Sequence, residues 1–164
     1  MMDVSAETGQ PRPGDVKVSD HGPEIDNVRA ALDWAFSSTG DVAIGVALTA
    51  AVVPMWMHLS LLDECRRRIE RALAAGIPQD PRGEMKLRIA LATALMITRG
   101  NVPETASAST KALQMAECLG DVEYQLRALW CLWRYRGASG QHRDALKLAQ
   151  KSHALAATRP DLPD

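Results

Sequence analysis

From residue 24 onward apolar side chains recur at spacings of three and four, the period of a helix that buries one face. Ile25, Val28, Leu32, Ala35 and Phe36 fall on one stripe while Asp26, Arg29 and Asp33 fall opposite, which predicts a first helix over about Glu24–Ser37. Ser37, Ser38, Thr39 and Gly40 end it, and Asp41 is placed to cap the next helix with its carboxylate. The second helix is apolar nearly all round, which predicts a central position. Pro54 lacks a backbone donor and crowds the preceding turn, so a kink is expected near Ala50–Pro54. A third helix begins after Ser60, read as its cap with Asp63 three residues on, and carries Leu62, Cys65, Ile69, Ala72 and Leu73 on one face. Gly76, Pro78, Asp80 and Pro81 form a break, with Asp80-Pro81 reading as a cap and a first helical residue. A fourth helix runs to about Arg99, a fifth restarts at Asn101 with Glu104, a sixth follows Gly120-Asp121, and a seventh follows Gly140. No alternating β-type pattern of any length competes.

The breaks are periodic. Asp41, Pro81 and Asp121 open helices two, four and six, and 121 − 81 and 81 − 41 both equal 40. Ser60, Gly100 and Gly140 mark a second set of breaks with the same spacing. Each unit is therefore a helix, a tight turn and an antiparallel helix, and such a hairpin must stack on its neighbours to bury both apolar faces. The expected fold is all-α: a tetratricopeptide-like α-solenoid of about seven helices, with pairs near 41–76, 81–119 and 121–158. Residues 23–164 form a single repeat domain, preceded by a flexible arm over 1–22.

Composition narrows the function classes. The chain has 164 residues, 46% hydrophobic and 24% charged, with a formal net charge of −1, so a real core is affordable and nothing global directs it to nucleic acid or an anionic membrane. Cys65, Cys118 and Cys131 are odd in number and lack C-x-x-C spacing, which reads as reduced packing residues in a cytoplasmic protein. Residues 1–22 mix Gly, Pro, Ser, Asp and Lys and contain no apolar run of the kind a secretory signal needs.

The last unit, Ala128 to Pro160, resembles a tetratricopeptide repeat: Leu129 and Trp133 are the large residues of its first helix, Gly140 the turn, and Ala145, Ala149 and Ser152 the small residues of its second. The preceding unit, with Arg99-Gly100-Asn101 and Ala116-Glu117-Cys118-Leu119-Gly120-Asp121, looks like the forty-residue variant found in large bacterial regulators. Helix one departs from the repeat, yet its string from Glu24 to Ala35, EIDNVRAALDWA, resembles the segment joining the nucleotide-binding region to the helical repeats in STAND-type ATPase regulators of transcription, LuxR-like and winged-helix members included. The sequence has no G-x-x-x-x-G-K-[ST] loop and no basic recognition helix, so the ATPase and DNA-binding parts of that family are missing from it. The resemblance implies the repeat or sensor part alone, which in such regulators receives inducers or protein partners, either as a stand-alone remnant or beside a chain that carries the ATPase.

Candidate chemistry is sparse. His58, Glu64 and Cys65 lie across a turn from one another and do not supply a converging metal shell, and His142 and His153 are too far apart along one helix to share an ion. Asp26 with Asp33, and Asp63 with Glu64, read as helix-surface and N-terminal charges instead of a hydrolytic pair. No G-x-S-x-G elbow occurs, so neither enzyme activity nor a cofactor is expected. The partner-binding candidates are Arg66, Arg67 and Arg71, which with Arg68 form a basic stripe on helix three that Glu64 and Glu70 interrupt, favouring intrahelical pairs. Tyr124 and Tyr135 are expected to line the inner surface, whereas Trp130 and Trp133 share a face with Leu126 and Leu129 and read as core; Trp34 and Trp56 are further large apolar side chains whose donors want partners.

Two further expectations concern association. Val42 to Leu62 contains no Asp, Glu, Lys or Arg, so the alternative to a binding module is a small protein anchored in a membrane through residues 42–62. At the other end, Ala145, Leu148, Ala149 and Leu155 form an apolar stripe followed only by Thr158 to Asp164, too short for a capping helix. Leu148 and Leu155 are thus candidates for docking a partner or a second copy, most simply as a two-fold homodimer.

Overall fold

Capping residues divide the chain first. In the computed structural model, which describes residues 22–76 and 80–158, Asp41 accepts from the backbone N–H groups of Ala43 and Ile44 at 2.8 and 3.3 Å. Asp80 accepts from Gly83 at 2.9 Å with Pro81 at the first helical position, and Asp121 accepts from Tyr124 at 3.2 Å. These three aspartates satisfy orphan donors at the starts of the alternate helices of the repeat. The described residues form α1 (Gly22–Ala35), α2 (Val42–His58), α3 (Leu62–Ala74), α4 (Pro81–Thr98), α5 (Pro103–Leu119), α6 (Val122–Ala138) and α7 (His142–Ala156), with no strand among them. The all-α repeat of antiparallel helix pairs expected from the period is the observed fold. Of the expected N-terminal arm, only Gly22 lies within the described residues, and it opens α1.

The turns follow the same period. After α2, α5 and α6 the chain passes through one left-handed residue, Ser60 (φ 57°), Gly120 (φ 65°) and Gly140 (φ 73°). Each time its N–H and that of the following residue return to carbonyls of the last helical turn; Leu61 donates to Trp56 and Asp121 to Ala116, both at 2.9 Å. Ser60 is thus the left-handed stop of α2 and not the cap of α3, whose N-cap is Leu61 with no side-chain hydrogen bond. Nor does Asn101 cap α5: Val102 occupies that position, Pro103 begins the helix, and the Asn101 amide donates to Ser139 Oγ at 2.7 Å in the next turn along.

Packing places α2, α4 and α6 in one layer, with α4 against both neighbours, while α1, α3, α5 and α7 form the other. Backbones approach within the first layer; in the second, among the described residues, long side chains span the gap. Lys151 of α7 reaches Glu117 of α5 at 2.6 Å, and Arg68 and Arg71 of α3 reach Asp33 of α1. A stack that is tighter on one side curves toward that side, so α2, α4 and α6 line the concave wall. The long-range side-chain polar contacts join residues 34 to 39 positions apart, about one repeat.

The core changes character along the stack. Near α1 it is built from large side chains: Leu32, Val46, Trp56, Ile69 and Leu87, with Cys65, Ala72 and Ala90 between them. Around α5 it is built largely of alanines, with Ala92 and Ala108 beside Cys131, and Ala112 and Ala128 beside Ile89. Small residues let helices there come close, so contact replaces bulk. Phe36 caps the start by lying against Gly45, where a Cβ would sit 2.9 Å from its ring.

Three expectations are corrected. Trp133 and Trp130, read as core, are 43% and 47% exposed, because among the described residues no further helix covers that side of α6. Helix α2 is less central than its composition implied: Ile44 is 50% exposed, and Val42, Ala47, Ala51 and Pro54 are exposed as well. It remains one helix across Pro54. The cysteines are free, Cys65 and Cys131 buried, but Cys118 is exposed. The alternative of a membrane anchor gains no support: α2 is 17 residues and so about 26 Å long, against about 30 Å of bilayer hydrocarbon, and no described helix is long and apolar enough to cross a membrane.

Candidate binding groove on the concave wall

The three inner helices leave a groove of 540 Å³ between them. One wall is Ala50, Val53, Pro54 and Met57 of α2; the floor is Leu87, Ile89, Ala90 and Thr93 of α4; Tyr124 and Arg127 of α6 close the far side, and Lys86 completes the rim. Thr93 adds little polarity, since its hydroxyl donates to the Ile89 carbonyl at 3.0 Å. A second hollow of 450 Å³, sharing Ile89, Thr93 and Arg127, continues the groove to Leu126 and Trp130.

The polar groups of the groove come from the repeat itself. Lys86 is the sixth residue of α4 and Arg127 the sixth of α6, so the stacking of equivalent helices brings both cations to one rim. Arg127 stacks over the Tyr124 ring at 5.1 Å and pairs with Glu123 at 2.6 Å in an exposed position. Lys86 makes no ion pair among the described residues. Tyr124 is half-buried against Ile89, Ala112 and Ala128, and burial pushes its phenol up from its ordinary value, so it stays a donor at neutral pH.

Of the sequence candidates, Tyr124 alone belongs to this groove. Tyr135 lies toward the far end of α6 under the Arg136 guanidinium, which sits 5.8 Å from its ring. Arg66 is corrected from an exposed to a buried position: Nη1 donates to both Glu70 oxygens at 3.0 and 2.9 Å, and Nη2 reaches Asp63 at 3.4 Å. Arg71 is committed to Asp33, to the Phe36 carbonyl at 3.1 Å and to the Phe36 ring at 4.9 Å. Arg67 is exposed and borders a shallow hollow with Leu61, Leu62 and Thr98. The basic stripe is therefore largely neutralised, part within α3 and part by α1, and it does not form one surface.

Leu148 takes its place on the open end of the stack, half-buried beside Trp130, Trp133 and Ala149 around a hollow of 320 Å³; Leu155 is half-buried outside that hollow. Leu146, 60% exposed, and Ala145 extend the apolar end past Trp133 through an adjoining hollow of 500 Å³. Lys86, Arg127, Met57 and Thr93 were missed by sequence reasoning. The shared place of the two cations, sixth in α4 and sixth in α6, depends on the helix bounds: Lys86 and Arg127 are 41 positions apart, so alignment at the forty-residue period sets Lys86 against Leu126. The buried thiols offer no reactive alternative, since burial pushes Cys65 up to about 12 and raises Cys131 as well. Among the described residues no group of His, Cys, Asp and Glu could hold a metal ion.

No protein-family model matches the chain, and comparisons with curated proteins and with solved structures returned no match.

Proposed function

We propose that the chain is a non-catalytic, cytoplasmic binding module, the repeat or sensor part of a bacterial transcriptional regulator, which receives an effector or a protein partner on its concave wall. The observation that carries this reading is the 540 Å³ groove between α2, α4 and α6: mostly apolar, with a few polar groups on one rim, the make-up of a binding site. The likeness of the Glu24–Ala35 string to the joining segment of STAND-type regulators supports the regulatory setting. Native mass spectrometry of protein purified from a bacterial host tests it. Wild-type chain should carry a non-covalent adduct, or gain one from a cell extract, that Thr93→Trp abolishes by filling the groove. Equal adducts on both forms would sink the reading.

A second reading concerns the open end. Trp130, Trp133 and Leu146 are each more than two-fifths exposed on adjoining faces of α6 and α7, an apolar surface of the kind that marks an interaction site. We infer that a protein partner or a second copy docks there.

A further inference from the structure

We propose that the groove takes a small organic anion with an apolar body, its acidic group met by Lys86, Arg127 and the Tyr124 hydroxyl. This rests on the reading of the concave wall as the binding surface and adds the chemical class of the ligand. The lining contains two cations and no carboxylate, although the chain as a whole is slightly acidic, with a net charge of −1. Electrostatic bias at this site is therefore local and belongs to the groove. The Glu123 partner of Arg127 is exposed, and such surface pairs are held weakly enough to exchange for a ligand's acidic group. Arg127 is steadied by its stacking on Tyr124, which leaves its fork of donors ordered for an oxyanion.

The rest of the lining specifies the body of the ligand. Val53, Pro54, Met57, Leu87, Ile89 and Ala90 offer carbon surface, and Thr93 has spent its hydroxyl on its own helix. An extended peptide would bring backbone N–H and C=O groups into this surface and find few partners for them, a cost that a hydrocarbon or aromatic body does not incur. The 540 Å³ volume lies within the range of about 300–1,000 Å³ typical of small-ligand pockets. Methionine and the adjoining hollow toward Trp130 give the site latitude in the shape of that body.

A matched pair of fluorescent probes tests the proposal: anilinonaphthalene sulfonate, and phenylnaphthylamine, which has the same rings without the sulfonate. The sulfonate should bind about tenfold more tightly than the neutral probe, as expected for charge-assisted contacts. Lys86→Gln with Arg127→Gln should erase that advantage while leaving the neutral probe unchanged, and both variants should keep wild-type helical circular dichroism because the two side chains are exposed. Trp133→Ser, at the open end, should alter neither probe. Equal affinity of the two probes for the wild type, or sulfonate binding that survives the double substitution, would overturn the anion assignment. Displacement of the sulfonate by an oligoglutamate peptide but not by dodecanoate would overturn the small-ligand assignment. The underlying reading fails separately, if Thr93→Trp leaves the binding of both probes intact.

Discussion

Arg29 of α1 grips Glu64 of α3 with two donors, Nε to Oε1 at 2.8 Å and Nη2 to Oε2 at 2.5 Å. A bidentate, partly buried pair of this kind holds the covering helix on the first repeat in a defined orientation. Glu64→Gln should cost about 1–2 kcal/mol of unfolding free energy, measured by urea titration. The Arg29 guanidinium holds the Glu64 carboxyl below its ordinary range, and Arg68 does the same for Asp33. Both groups thus add stability above the ordinary carboxylate range that is lost as pH falls through their folded-state values. Melting temperature should drop on acidification below about pH 4.5, and less steeply in Glu64→Gln. Parallel pH profiles would show that the pair contributes nothing.

Ser60 occupies a left-handed position, φ 57°, equivalent to the glycines at the ends of other helices. A side chain there crowds its own backbone, while glycine does not. Ser60→Gly should stabilise the protein by about 0.5–1 kcal/mol net of glycine's chain entropy. Gly140→Ala, at φ 73°, should destabilise it by a similar amount. A lower melting temperature for Ser60→Gly would mean that the serine hydroxyl does something at this turn beyond its conformation.

The four tryptophans divide sharply in burial. Trp56 is 0% exposed at the centre of the large-residue core, so Trp56→Ala should cost about 3–5 kcal/mol or prevent folding. Trp133, 43% exposed, should cost less than about 1 kcal/mol on truncation. Acrylamide should quench the fluorescence of Trp34, Trp130 and Trp133 and leave a blue-shifted residue from Trp56. Complete quenching in the folded state would place Trp56 at the surface.

If the open end mediates self-association, sedimentation velocity should show a dimer that Trp133→Ser and Leu148→Glu convert to a monomer. Leu155→Glu, outside the hollow beside Trp133, should have a smaller effect. A wild-type monomer at all concentrations would leave this face to a different protein.

Local chemistry carried much of the architecture. The three-and-four spacing of apolar residues, the aspartate caps at Asp41, Asp80 and Asp121 and the forty-residue period are short-range properties, because helical hydrogen bonds and capping bonds close within one turn. They were sufficient for seven helices, their pairing and their direction. What an apolar or charged face meets is decided by the neighbour packed against it, and that is a property of the stack. Trp133 lies one turn after Leu129 on the same face of α6, yet Leu129 is 0% exposed while Trp133, bordering α7 only in part, is 43% exposed. Arg66 pairs with Glu70 and Asp63 within α3, as the interleaved carboxylates led one to expect, but its burial and the reach of Arg71 to α1 were not legible in the run of arginines. Lys86 and Arg127, 41 positions apart, become one site only when equivalent helices stand side by side. Tertiary structure decided the groove and the open end because both are made of spaces between helices, and such spaces exist only once the helices are stacked.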